Sequence, residues 1–204
     1  VTTRQAILDA AESHFAESGF SGARIDEIAR SAGYNKSLIF QYFTDKDGLY
    51  RAVLSRCREI NDAAFRAAID ADAILERPLT RASLRATLEA SVSWVFDHFV
   101  EHPNYLRLFS WEMALGWNVF KESGGIEASF RFGLEMLRRA QDQGLLRDGI
   151  APETVVINVF SLPFVTLAAI PRFQGLRDDA KYPPYDTATL REQTVRFVLN
   201  AVLK

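Results

Sequence analysis

The stretch from Ile25 to Phe43, IDEIARSAGYNKSLIFQYF, constrains the fold more than any other part of the chain. Its residues follow the pattern of two short helices joined by a tight turn, a helix-turn-helix, which lays its second helix in the major groove of DNA. Ile28 and Ala32 fall on one face of the first helix, and Ala29 supplies a small side chain where a second helix crosses at close range. Gly33 stands at the stop, where a left-handed residue is needed and glycine has no Cβ to object. Asn35 follows as an N-cap. Tyr34, Ile39 and Phe43 are the apolar anchors, which leaves Lys36, Ser37 and Gln41 for the outside.

A longer segment carries a resemblance. ILDAAESHFAESGFSGARIDEIARSAGYNKSLIFQYFTDKDGLYRAVL, from Ile7 to Leu54, resembles the N-terminal DNA-binding domain of TetR-family transcriptional regulators. ILDAAESHFAESGF matches the first helix, IDEIARSAG the second, NKSLIFQYF the recognition helix and KDGLYRAVL the opening of the fourth. The resemblance implies an all-α chain. A three-helix helix-turn-helix DNA-binding domain at the N-terminus (1–48) is joined by a long fourth helix to a helical effector-binding and dimerisation domain (49–204). It also implies that Tyr42 and Lys46 hold the phosphate backbone. Arg24 stands where the family has a small hydroxyl residue, usually threonine, and joins the DNA-contacting set. Leu38 replaces a common threonine and Gln41 a frequent histidine or tyrosine, so the DNA sequence read is this chain's own.

The residues of the recognition helix have chemistry suited to that reading. Lys36 can meet a phosphate or a guanine, Ser37 permits close approach, Gln41 can pair bidentately with adenine, and Leu38 can touch a thymine methyl. The 204-residue chain has a formal net charge of −2, so it is no generally adhesive polycation. From Ile28 to Arg58, however, six basic side chains face only Asp45 and Asp47. Such a local surplus is what phosphate contact requires.

Helical periodicity dominates the rest and strand alternation is absent. Thr3 is placed to cap the first helix, which ends near Gly19. A long fourth helix is expected to run to about Asp72, with a break at Leu75–Thr80. Thr80 caps the next helix, Pro103 starts another, and a further one spans about Ile126–Gln143. Pro152 opens a strongly apolar helix that Pro163 should kink or stagger. The last helix is TATLREQTVRFVLNAVL. No apolar run is expected to reach membrane-spanning length, and the N-terminus lacks a basic-then-apolar signal layout. With the single cysteine, Cys57, this suits a reducing, cytoplasmic setting.

Aromatic residues crowd the C-terminal half. Trp94, Phe99, Phe109, Trp111 and Phe130 suit a pocket for an apolar or flat small molecule, although a plain hydrophobic core explains such stripes as well. Glu112 shares a helix face with Leu108, Phe109 and Met113. A carboxylate there is costly unless it is satisfied. Either a base such as Arg107 or Arg131 pairs with it, or it faces a cavity and receives a polar or cationic ligand group. Val155, Val159 and Phe160, with Leu190, Phe197 and Val198, make the last two helices apolar on several sides. The resemblance implies that these helices form a four-helix dimer interface; burial within one chain is the alternative. His98 and His102 have the i, i+4 spacing of a metal pair but no third ligand in sequence, so neither a metal nor a cofactor is expected. No nucleophile elbow, phosphate-binding loop or dinucleotide fingerprint is present, which argues against an enzyme.

These observations point to a DNA-binding regulator: a homodimer on a palindromic double-stranded operator, a repressor released by a small-molecule effector, with no membrane partner. An activator or an effector-independent regulator remains an alternative. A helical carrier or enzyme would leave residues 25–43 without a role.

Overall fold

In a computed structural model, residues 2–119, 128–173 and 186–204 are described, and among them the chain forms ten helices. They are α1 (Thr3–Gly22), α2 (Ile25–Ala32), α3 (Lys36–Phe43), α4 (Lys46–Ala68), α5 (Ala71–Glu76), α6 (Arg81–Glu101), α7 (Pro103–Ala114), α8 (Ala128–Asp142), α9 (Pro152–Phe173) and α10 (Thr187–Val202). The chain divides into two compact units.

The first unit comprises Val1–Asn61 with His102–Gly125. The cap of α1 is Thr2, one residue before the expected Thr3. Thr2 Oγ1 accepts the Gln5 amide and the Gln5 side chain accepts the Thr2 amide, a reciprocal capping box. Ile7, Leu8, Ala11 and Phe15 of α1 form one buried stripe. They pack with Ile28 and Ala29 of α2, Ile39 and Phe43 of α3, Leu49, Tyr50 and Val53 of α4, and Leu108 of α7. Cys57 lies in the same core. Burial pushes its thiol up to about 12, and the charge of Glu12 adds to the shift.

Gly19 is not the end of α1 but a break within it, at φ 67°. A Cβ there would lie 3.0 Å from the indole of Trp111, so two constraints select glycine.

The second unit comprises Asp62–Glu101 with Ile126–Lys204. α6 packs against α9 and α10, and α8 packs against α9 and α5. Its core includes Phe65, Leu84, Leu88, Val92, Phe96, Phe132, Met136, Val156, Val198 and Leu199. Thr80 caps α6 as expected, its hydroxyl accepting the Ser83 amide at 3.1 Å. The Asp62 carboxylate accepts the Ser129 amide at 2.8 Å near the start of α8. Arg139 donates to the carbonyls of Leu75 and Arg77, holding the segment after α5.

Three features depart from the sequence reading. α4 ends at Ala68, not near Asp72, because Asp70 adopts a left-handed conformation (φ 52°) and α5 starts afresh. The boundary expected at 48 falls inside α4, whose first turns send Leu49, Tyr50, Val53, Leu54 and Cys57 into the core of the first unit. α7 also belongs there rather than with the second unit. Finally, Pro152–Arg172 in α9 is long and apolar enough to cross a membrane by length and composition, against the expectation that no run would be; the helix continues through Pro163 and Pro171.

Replacing Gly19 by alanine is expected to destabilise the protein by about 1–3 kcal/mol, since it forces a Cβ into left-handed backbone and against the Trp111 ring. Denaturant unfolding checks this. An unchanged midpoint would show that the break in α1 relaxes without cost.

Candidate functional site

α3 is short, and its ends are fixed by local chemistry. Gly33 closes α2 in the left-handed region (φ 77°), and its amide reaches back to the Arg30 carbonyl. The Asn35 side chain accepts the Leu38 amide at 2.8 Å, so the first turn of α3 is capped as its sequence anticipates. Ile39 and Phe43 are buried. On the other side Lys36, Ser37, Gln41 and Tyr42 are exposed, Tyr42 to 47%, and Leu38 is half-buried. His14 Nε2 and Ser31 Oγ are hydrogen-bonded at 2.8 Å, tying α1 to α2.

The cations around this face have unusual partners. Lys46, half-buried at the start of α4, donates to the Ser21 carbonyl at 3.4 Å and lies 4.9 Å from the Phe20 ring centre. Lys36 lies 5.9 Å from the Phe40 ring centre and 3.3 Å from the carboxylate of Asp26. Arg4 stacks over Phe43 at 5.4 Å. Sequence reasoning missed Arg4, because its ring partner is remote in the chain and cation–π geometry leaves no local signature. Arg24 is exposed at the N-cap of α2 and makes no side-chain cap.

The second unit contains a cavity of about 20 Å³ bounded by α4, α6, α8 and α9. Phe65, Leu88, Met136, Val156 and Phe160 are among its apolar walls, and the buried Ser91 and Ser129 are the polar residues on its lining.

Residues 7–53 match the model of the bacterial regulatory proteins of the tetR family, and residues 85–198 match the Tetracyclin repressor-like C-terminal domain. The second match alone covers more than half of the chain. The chain belongs to the TetR family. The transcriptional repressor SCO4008 of Streptomyces coelicolor is 30% identical over 77% of this chain and 74% of its own length. The repressor NicS of Pseudomonas putida is 29% identical over 78% and 73%. Among solved structures, the transcriptional regulator SCO4942 from Streptomyces coelicolor superposes with a TM-score of 0.71 at 28% identity, covering 98% of both chains. FadR from Bacillus subtilis, solved in complex with stearoyl-CoA, shares the fold (TM-score 0.68, 16% identity, 97% of this chain and 98% of that one).

This TetR-family chain is therefore a DNA-binding transcriptional regulator, of a family of regulators rather than enzymes. The six residues chosen from sequence for a ligand pocket divide between the two units. Trp94, Phe99 and Phe130 lie in the second unit: Trp94 stacks on His98 at 4.6 Å and meets Phe65 edge-on, Phe99 packs near Phe164, and Phe130 stacks on Phe160 at 4.4 Å. None of the three lines the cavity. Phe109, Trp111 and Glu112 fall in the first unit. Phe109 packs against Trp117 at 4.5 Å, and Trp111 Nε1 donates to the Ala16 carbonyl at 3.3 Å.

Glu112 is 1% exposed. Neither Arg107 nor Arg131 satisfies it; Tyr50 Oη donates to its Oε1 at 2.9 Å, while Oε2 is buried with no hydrogen-bond partner among the described residues. Tyr50 is itself packed against Phe15 and Phe20. Burial raises the Tyr50 phenol well above its usual range, and the hydrogen bond to Glu112 and the carboxylate's charge add to it. Periodicity placed Glu112 on an apolar face correctly but could not say which core that face enters.

The residues chosen for a dimer face also divide. Val155, Val159, Leu190 and Val198 are buried within the single chain, because α9 and α10 both pack on α6, and Phe160 is partly buried. Phe197 is 67% exposed, and on α9 Val165 (50%) and Ile157 (56%) are exposed as well.

Tyr50→Phe removes the hydroxyl and leaves Glu112 Oε1 without its donor, as Oε2 already is among the described residues. A loss of about 1–3 kcal/mol in unfolding free energy is expected, with the double variant Tyr50→Phe/Glu112→Gln non-additive in a mutant cycle. Additive effects would mean the two side chains act independently.

Proposed function

We propose that this protein is a transcriptional repressor that acts as a homodimer in the cytoplasm, binds a palindromic operator through α3, and leaves it when a small apolar effector occupies the second unit. The observation that carries the reading is the outward row Lys36, Ser37, Gln41 and Tyr42 on a capped helix whose other side is locked by Ile39 and Phe43. Gln41 has the donor–acceptor pair that matches adenine, and Leu38 offers an apolar contact to thymine. Lys46, fixed on Phe20 and Ser21, is a phosphate contact at the start of α4; Arg24 and Tyr42 are its neighbours in that role. Repression is supported by the names of SCO4008 and NicS, both repressors.

The cavity favours an apolar molecule with one neutral hydrogen-bonding group, since its walls are hydrocarbon and two serines. Its small volume means that an effector must enlarge it by displacing side chains such as Met136 or Phe160. That displacement is how binding energy would be coupled to the DNA-releasing state. The stearoyl-CoA bound to FadR and the ketosteroid regulator KstR2 of Mycobacterium tuberculosis, both of the same fold, are consistent with an apolar effector. Assembly is supported by Phe197, Ile157 and Val165, large apolar side chains exposed on α9 and α10. A dimer sealing them also gives α9 a reason to be apolar without a membrane.

Selection from a random duplex pool is expected to recover an inverted repeat. Gln41→Ala should relax one position in each half-site at a cost of about 1–3 kcal/mol, whereas Lys46→Ala should weaken all sequences alike. Failure to enrich any sequence at low salt would refute the reading.

Phe197→Asp should shift sedimentation from dimer to monomer at micromolar concentration while leaving the helical circular dichroism intact, because the side chain is exposed in the single chain. A variant that stays dimeric would place the interface elsewhere. Val198 is unsuitable for this purpose: it is 3% exposed, so a charge there disrupts the core of its own unit.

A further inference from the structure

Asp26 is an acidic residue in the first turn of α2, on the side of the helix-turn-helix where α3 begins. Its carboxylate lies 3.3 Å from the ammonium of Lys36, with both side chains largely exposed (70% and 49%). Lys36 is the first residue of α3, where a cation meets the positive end of the helix dipole and gains nothing from it. The helix end thus favours that lysine only through its neighbours, the Phe40 ring and an anion. In the free protein Asp26 supplies one. In a helix-turn-helix the first helix crosses the DNA backbone and the second enters the groove at its N-terminal end. The same geometry would bring phosphates to the place that the carboxylate now holds.

Two other cations near this face, Arg4 and Lys46, are treated differently. Arg4 and Lys46 rest on the rings of Phe43 and Phe20, which hold them in position without cancelling their charge. Lys36 also approaches a ring, that of Phe40, yet it alone of the three is paired with a carboxylate in the first turn of a neighbouring helix. An exposed pair of this kind contributes little to stability. Its effect lies in what Lys36 can do next.

Resting on the reading of α3 as the DNA-recognition helix, we propose that Asp26 sets specificity by acting as an internal substitute for phosphate. It neutralises Lys36 on arbitrary DNA and yields it only where base contacts from the rest of α3 hold the helix fully in the groove. On non-specific duplex, Lys36 stays with Asp26, and the protein neutralises one phosphate fewer than its cations would allow. On the operator, base contacts bring Lys36 to a phosphate or a guanine, and the carboxylate is left to water.

The test compares wild type with Asp26→Asn, which keeps the shape and removes the charge. Each is titrated with the selected operator and with a scrambled duplex across a salt series. Asp26→Asn is expected to tighten scrambled DNA about two- to fivefold, the range open to an exposed ion pair. It should steepen the log–log salt dependence on that DNA by about 0.9, one additional phosphate neutralised. Operator affinity should change less, so the specificity ratio falls. In a Lys36→Ala background the same substitution should lose most of its effect on the slope. The proposal is overturned if Asp26→Asn leaves scrambled-DNA affinity and slope unchanged. It is equally overturned if the full effect persists without Lys36, which would mean simple repulsion of phosphate, or if Asp26→Asn loses preference at a single base, which would make Asp26 a base reader. A wild type that selects no operator removes the recognition-helix reading beneath it, an outcome separable from these because it needs no variant.

Discussion

An eight-residue helix does not persist alone in water, because nucleation costs more than so few hydrogen bonds return. Everything α3 can do depends on its apolar side being claimed by the core. Ile39 is fully buried, and Phe43 nearly so, against a cluster drawn from α1, α2, α4 and α7. That cluster decides which residues face outward, since a helix with one side fixed has no freedom left in the other. The Asn35 cap and the left-handed Gly33 then set where the helix begins. The polar row of α3 follows from the burial of its reverse side.

The same core explains why α7 is not part of the second unit. Leu108 is buried in it, Trp111 occupies the space that the missing Cβ of Gly19 provides, and Glu112 takes the hydroxyl of Tyr50. A buried carboxylate with a single donor favours the register that brings Tyr50 and Glu112 together, because any other leaves it without a partner in the core. Arg56 of α4, paired with Asp9 and Glu12 of α1, fixes the same helices from their exposed edge.

Local chemistry was legible in the sequence and long-range pairing was not. The turn at Gly33, the caps at Asn35 and Thr80 and the proline start of α7 were readable because each depends on residues a few positions apart. The family resemblance came from the same local patterns and was confirmed along the chain. What a helix face packs against depends on partners far away in sequence. The apolar helix faces mark Glu112, Val159 and Val198 as buried, and they are, whereas Trp111 is 40% exposed. Those faces could not tell that Glu112 enters the core of the first unit, nor that Val159 and Val198 are enclosed by their own chain while Phe197 is not. The cavity wall was not legible for the same reason: Phe65, Phe132 and Phe160 line it together with Leu88, Met136 and Val156, and only the packing of four helices brings these residues to one place.

Cys57, shielded in the core of the first unit, has a consequence for how the protein meets oxidative chemistry. A thiol raised to about 12 is almost wholly protonated at neutral pH, and only the thiolate attacks peroxides or disulfides readily. The chain's one sulfhydryl is thus silent in the folded state.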